Sequence, residues 1–117
     1  MADPRAMNHI TETLAEYLAA KQTQMIAAID ARGFIFGAPV AAKLSVPFVP
    51  LRKAGKLPPP VVGTDYALEY GTARLEASTS GATPGQNIAI VDDLLATGGT
   101  AAAGAKLLES LGANVVS

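Results

Sequence analysis

The stretch from Asn87 to Gly104 reads N-I-A-I-V-D-D-L-L-A-T-G-G-T-A-A-A-G, and the rest of the chain is arranged around what it binds. Ile88, Ala89, Ile90 and Val91 form an apolar run without alternation, as expected of a parallel strand buried on both faces. The run stops at two carboxylates, Asp92 and Asp93, and after a short loop Thr97-Gly98-Gly99-Thr100 opens an alanine-rich helix. Ligands of open parallel sheets gather at the carboxyl ends of the strands, where the acid pair falls. Gly98 and Gly99 let backbone N–H groups close around an anion, and the following helix aims its positive end there. Taken singly, an acid pair is more often a solvated strand end with a helix cap, and Gly-Gly more often a turn. Their order favours a site. No Lys follows the glycines and the pattern is not G-x-G-x-x-G, so neither a nucleoside triphosphate loop nor a dinucleotide fingerprint is present. Donors for a phosphate beside acceptors for a hydroxyl pair point to a sugar phosphate.

With 117 residues the chain is one domain, 1–117, able to bury roughly two thirds of its unfolded surface. Half of the residues are hydrophobic and 16% are charged, more apolar than a small monomer needs, which predicts a surface covered by another subunit. The net charge of -1 gives no electrostatic case for nucleic acid or an anionic membrane. The sequence has no cysteine and one histidine, His9, so thiolate metal sites and histidine clusters are excluded; His9 is read as a surface residue. No apolar run reaches membrane-spanning length and residues 1–12 do not resemble a signal peptide, so a cytoplasmic setting is expected.

Along the chain, Asp3-Pro4 reads as a helix cap and first helical position, and Met7, Ile10, Leu14, Tyr17 and Leu18 give an amphipathic helix over Ala6 to Ala20. Met25 to Asp30 is a strand, Ala31-Arg32-Gly33 the turn after it, and Phe34 to Leu44 a helix that tolerates Pro39 only in its first turn. Arg32 thus stands at a carboxyl strand end, near the anion site. Val46 to Leu51 is a strand whose prolines, Pro47 and Pro50, mark an edge or an irregular start and finish. Arg52 to Pro60 is expected to be a mobile basic loop, and Tyr66–Tyr70 with Ala73–Ala77 a hairpin turning at Gly71-Thr72. A last helix from Gly99 to Leu111 stops at Gly112, and Ala113 to Val116 begins one more strand.

Four segments, V-D-D-L-L-A-T-G-G-T, A-R-G-F-I-F-G-A-P-V-A, F-V-P-L-R-K-A-G-K-L-P and L-E-Y-G-T, closely resemble the adenine phosphoribosyltransferase family, and the resemblance runs from Asp3 to Ser117. It implies a type I phosphoribosyltransferase fold: α/β, a Rossmann-like parallel sheet flanked by helices, with an antiparallel lid ribbon. It also implies transfer of a phosphoribosyl group from 5-phosphoribosyl 1-pyrophosphate to adenine, with Mg²⁺ held mainly by substrate oxygens and water, in a homodimer. By position, Asp92 and Asp93 resemble the residues facing the ribose hydroxyls, and Ala96, Thr97, Gly98, Gly99 and Thr100 the 5-phosphate cradle. Arg32 resembles the arginine of the pyrophosphate loop. Arg52 and Lys56 resemble pyrophosphate ligands, the arginine reaching a neighbouring subunit's site, and Glu69 and Tyr70 match the catalytic lid pair.

The chemistry favours these residue types on independent grounds. Displacement at the anomeric carbon builds negative charge on the departing pyrophosphate, which cations stabilise. A lid carboxylate such as Glu69 can manage a purine proton, and closure keeps water from the activated sugar. Against the family pattern, the N-terminal hood segment and the C-terminal end are expected to be lacking, and Ala54 and Gly104 replace commoner residues. The alternative function is a regulatory module of the same fold that binds the sugar diphosphate or a nucleotide without turnover. The retained lid motif argues for the enzyme.

Overall fold

A computed structural model describes residues 4–68, 70–81, 83–92 and 98–117, with the side chains of 68 and 98–101 excepted. Among these residues the chain forms three helices and one six-stranded sheet. The elements are α1 (Pro4–Ala20), β1 (Met25–Ile29), α2 (Arg32–Leu44), β2 (Phe48–Lys53), β3 (Val61–Leu68), β4 (Gly71–Ser78), β5 (Asn87–Val91), α3 (Gly98–Ser110) and β6 (Asn114–Val115). The strand order is β3-β4-β2-β1-β5-β6. β2, β1, β5 and β6 run parallel, while β4 joins β2 antiparallel and β3 closes a hairpin on β4. An α/β parallel sheet with an antiparallel ribbon is the arrangement expected from the sequence.

β1 lies at the centre with all five residues buried, and its side chains divide the core in two. Met25, Ala27 and Ile29 join Leu51, Leu75, Ile88, Leu107 and Leu108 under α3. Ile26 and Ala28 face the other way, against Leu18 of α1 and Val40 and Ala41 of α2. This is the period-two geometry of a strand covered on both faces.

The helix α2 comes unusually close to the sheet. A Cβ on Gly37 would lie 2.6 Å from the Cβ of Ala28, and one on Gly33 would lie 2.6 Å from the carbonyl oxygen of Val91. Both glycines are buried, and their spacing of one helical turn puts the two bare positions on the same face.

Several boundaries differ from the sequence reading, each for a local reason. α2 begins at Arg32 rather than Phe34, so Pro39 lies inside the helix and not in its first turn. Its missing N–H would have bonded the carbonyl of Ile35, a residue 49% exposed, where water can replace the lost donor. β2 extends through Arg52 and Lys53, which therefore belong to a strand and not to the loop. Pro50 is tolerated because the 47 and 51 carbonyls face β1, leaving its nitrogen on the opposite side; the ladder to β4 covers only Arg52 and Lys53. The hairpin starts at Val61, and its register closes at Leu68↔Gly71, so Gly71 and Thr72 are strand residues and not the turn. Tyr17 is 54% exposed, at the rim of the stripe on α1, with Lys21 Nζ 5.0 Å from its ring centroid. His9 is exposed, as expected. The proposed cap Asp3 lies outside the described residues.

The end of α3 follows the sequence. Gly112 has φ +88°, its N–H donates to Glu109 O at 2.9 Å, and Ala113 N–H donates to Leu108 O at 3.2 Å. These are the two bonds of a Schellman stop, which needs a residue free to adopt the left-handed conformation.

Gly37→Val should lower the unfolding free energy by about 1–3 kcal/mol or more, since the new atoms must displace Ala28 and the Phe48 ring. Gly104→Ala meets the Leu51 methyl end at 3.2 Å and the Ile90 and Leu75 methyls at an ordinary 3.7 Å, so the helix-propensity gain of about 1 kcal/mol should leave it neutral or stabilised. Urea unfolding of both variants checks the contrast. Equal effects would mean that α2 can move off the sheet.

Candidate active site at the carboxyl edge of the sheet

From β1 the chain passes through α2 on one face, and from the adjacent β5 it passes through α3 on the other. Neighbouring parallel strands whose following helices take opposite faces define a topological switch point, and the crevice outside their carboxyl ends is where open α/β sheets bind ligands. Both helices present their amino ends to that crevice. The cap position of α2, Ala31, makes no side-chain hydrogen bond, so no side chain of its own closes that end against an anion.

The contact of Gly33 with Val91 joins the two sides of the crevice. An atom at the Gly33 Cβ position would also lie 3.4 Å from the Asp92 Cα, so the Arg32–Gly33 turn and the end of β5 touch backbone to backbone. Arg32 is exposed as the first residue of α2, and Asp92 is half-buried immediately after β5. The peptide between Asp30 and Ala31, just before this turn, is cis.

Arg52 and Asp30, from the ends of neighbouring strands, form an ion pair in which Arg52 Nε donates to Asp30 Oδ2 at 2.8 Å. Arg52 Nη1 also donates to the carbonyl of Lys56 at 3.4 Å, which ties the arginine to the turn carrying the second predicted cation. Lys56 is exposed, and its N–H donates to Lys53 O at 3.3 Å. Arg32, Arg52 and Lys56 are thus gathered at or beside the carboxyl ends of β1 and β2.

The hairpin projects from the same edge. β4 is antiparallel to β2, with Leu75 opposite Lys53, so the four residues from Leu75 back to Gly71 carry the hairpin about 13 Å beyond that pairing at ~3.3 Å per residue. Tyr70 stands at the tip, 94% exposed. Glu69, Asp93, Ala96 and Thr97 lie outside the described residues, whereas Gly98, Gly99 and Thr100 form the first turn of α3. A mostly apolar cleft of about 380 Å³ opens on the α1 side of Asp92, bounded by Leu14, Tyr17, Phe36 and Val91. Its apolar walls do not suit a phosphate, and of the predicted site residues that are described it includes only Asp92.

The sequence reading missed Asp30 as the partner of Arg52 and missed the acidic residue behind the basic turn, Glu76. Asp30 ended a predicted strand, which was the available signal. Glu76 shares a strand face with Arg74 by alternation, but nothing in the sequence joined that face to residues 52–56.

A family model described as a phosphoribosyl transferase domain matches residues 2–117. The chain is 52% identical over 115 residues to an adenine phosphoribosyltransferase of Methanococcus maripaludis, covering 98% of this chain and 67% of that protein. Among solved structures, adenine phosphoribosyltransferase from Thermoanaerobacter pseudethanolicus superposes with a TM-score of 0.93 at 53% identity, covering 98% of this chain and 67% of that one. The Saccharomyces cerevisiae enzyme, solved with adenine and an imino-altritol bisphosphate, gives a TM-score of 0.87 at 38% identity, covering 97% and 66%. The chain therefore spans about two thirds of the length of these relatives. With a family model matching nearly every residue, and with half of its residues shared with such enzymes, this chain belongs to the adenine phosphoribosyltransferase family of phosphoribosyl transferase domains.

Proposed function

We propose that this chain transfers the 5-phosphoribosyl group from 5-phosphoribosyl 1-pyrophosphate to adenine, giving AMP and pyrophosphate. The observation that carries the reading is the crevice between β1 and β5, where two helix amino ends meet a carboxylate on one side and a cluster of cations on the other. A sugar with phosphates at both ends and a free diol between them matches that distribution of charge. The relatives compared are all named as enzymes, so turnover rather than sensing is the reading adopted.

In this proposal Asp92 and Asp93 accept from the ribose hydroxyls, and residues 96–100 cradle the 5-phosphate with the amino end of α3. Arg32, Arg52 and Lys56 hold the pyrophosphate, with Arg52 assigned to its own chain's crevice, where it pairs with Asp30, and not to a neighbouring subunit's site. As the anomeric C–O bond breaks, the electron pair leaves with the pyrophosphate, and these cations stabilise it as the purine nitrogen closes on the sugar. Asp30 keeps the Arg52 guanidinium paired until a phosphate oxygen takes the carboxylate's place. Glu69 is assigned the purine proton, and Tyr70, at the projecting tip, the cover over the reacting atoms.

Among the described residues no three acidic or histidine side chains converge to cage a metal. The donors present suit Mg²⁺ carried in on the pyrophosphate and completed by water, with Asp92 at the crevice. When bound, the ion supplies further neutralisation of the leaving group. A cytoplasmic homodimer completes the proposal, supported by the apolar composition and the lack of cysteine. No helix among the described residues is long and apolar enough to cross a membrane.

Purified chain given adenine, the sugar diphosphate and Mg²⁺ should form AMP and pyrophosphate in equal amounts, and a chelator should suppress the reaction. Tight binding of the sugar diphosphate with no AMP would favour the sensor. Replacing both acids, Asp92→Asn with Asp93→Asn, should weaken sugar-diphosphate binding by about 1–3 kcal/mol, the range for hydrogen bonds to charged groups. Calorimetry on the folded double variant decides this, and unchanged affinity would remove the acids from the site. Sedimentation should give a two-fold pair, the commonest closed assembly. A monomer at micromolar concentration would leave the apolar surface without its partner.

A further inference from the structure

Glu76 is a buried acid with no part in the proposed chemistry, only 8% exposed. It lies opposite Arg52 across the β2–β4 ladder, on the strand face turned away from Leu75 and Ala77, which sit in the core under α3. Both of its oxygens are used: Gly55 N–H donates to Oε1 at 3.1 Å, and Arg74 Nε donates to Oε2 at 3.2 Å. Arg74 continues to Asp65, with Nη1 3.5 Å from Oδ1, and passes over Gly63, where a Cβ would come within 2.7 Å of its Nε.

Gly55 lies in the turn that follows Arg52 and Lys53 of β2 and carries Lys56, and it has φ +83°. Around it Ala54 N–H donates to Arg74 O at 3.2 Å and Lys56 N–H to Lys53 O at 3.3 Å. Residues 53–56 are all exposed, so the turn is not held by packing. Burying a carboxylate to fasten one amide of an exposed turn is costly for a loop that adds nothing to the core. The cost becomes intelligible if the position of the turn matters, and what the turn carries is positive charge.

We propose that Glu76 is a positioning residue for the pyrophosphate cations: by accepting the Gly55 N–H it fixes the 53–56 turn, and through the Arg52–Lys56 contact it sets where Arg52 and Lys56 stand. Glu76 itself touches no ligand. Arg74 holds the carboxylate in line, and Gly63 leaves room for Arg74 to do so. This rests on the assignment of Arg52 and Lys56 to pyrophosphate.

The test compares Glu76→Met, which keeps the volume but removes both acceptors, with Glu76→Gln, which keeps one acceptor for Gly55. Glu76→Met should raise the KM for the sugar diphosphate and the inhibition constant for pyrophosphate together by about tenfold, the scale of one charge-assisted hydrogen bond. Ribose 5-phosphate affinity should stay close to wild type, because the lost interaction acts on the pyrophosphate end, whereas kcat should fall with the pyrophosphate affinity because the same cations stabilise the departing group. Glu76→Gln should restore most of the loss. Unchanged pyrophosphate inhibition in folded Glu76→Met, or equal weakening of ribose 5-phosphate, would overturn the proposal. Amide exchange gives a reading that needs no variant: Gly55 should be protected in the wild-type chain despite its exposure, and rapid exchange there would also overturn it. If wild type makes AMP but pyrophosphate does not inhibit it, the assignment of Arg52 and Lys56 fails, and this proposal with it. A protected Gly55 with inhibition unchanged in Glu76→Met would remove the positioning role alone.

Discussion

The approach of α2 to the sheet is the constraint from which the rest of the molecule follows. Gly33 and Gly37 leave the helix bare where it meets Val91 and Ala28, and Ala28 and Ala89 keep that face of the sheet shallow. Small residues on both sides shorten the distance between layers, and close-packed interiors do not tolerate even one added carbon there. The effect is felt at the crevice. Because the Arg32–Gly33 turn rests on the backbone of Val91 and Asp92, groups from two strands that are 62 residues apart in sequence become one surface (Asp30 to Asp92). A bulkier α2 face would still cover the sheet and still bury its stripe, but the two halves of the crevice would separate.

Much of this architecture was legible in the sequence, because the strongest signals come from elements whose surroundings are uniform. β1 and β5 are buried on both faces and read as unbroken apolar runs; α3 ends at a glycine that has a left-handed φ. The misread positions are those where a neighbour distant in sequence decides the outcome. Arg52 and Lys53 look like loop residues until β4 supplies Glu76 and Leu75 as ladder partners. Pro39 looks like a helix stop until Ile35, the residue one turn back, is known to be exposed, and Gly71-Thr72 looks like a turn unless the register is known.

The candidate site divides in the same way. Motifs contiguous in the chain, such as the acids after β5 and the glycines opening α3, could be found by reading along it. Pairings across strands could not. Asp30 and Arg52 are 22 residues apart and meet only because β1 and β2 end together, and Glu76 reaches Gly55 across 21 residues. The first supports a residue with a proposed chemical assignment, Arg52, and the second fastens the turn that carries Lys56, so the supporting contacts were hidden while the motifs proposed to face the ligand could be read along the chain.

The junction of β2 with β4 has a mechanical consequence. The hairpin is fastened to the parallel sheet by two residue pairs, Arg52↔Glu76 and Lys53↔Leu75, and to the core under α3 by Leu75, Ala77, Val62 and Tyr66, while its arms run on past that clamp to Leu68 and Gly71. A beam fixed at its base deflects most at its free end, so bending energy is spread along the arms and displacement collects at the tip where Tyr70 sits. The parallel strands and the projecting hairpin are thus one continuous sheet, divided by the point where pairing with β2 ends.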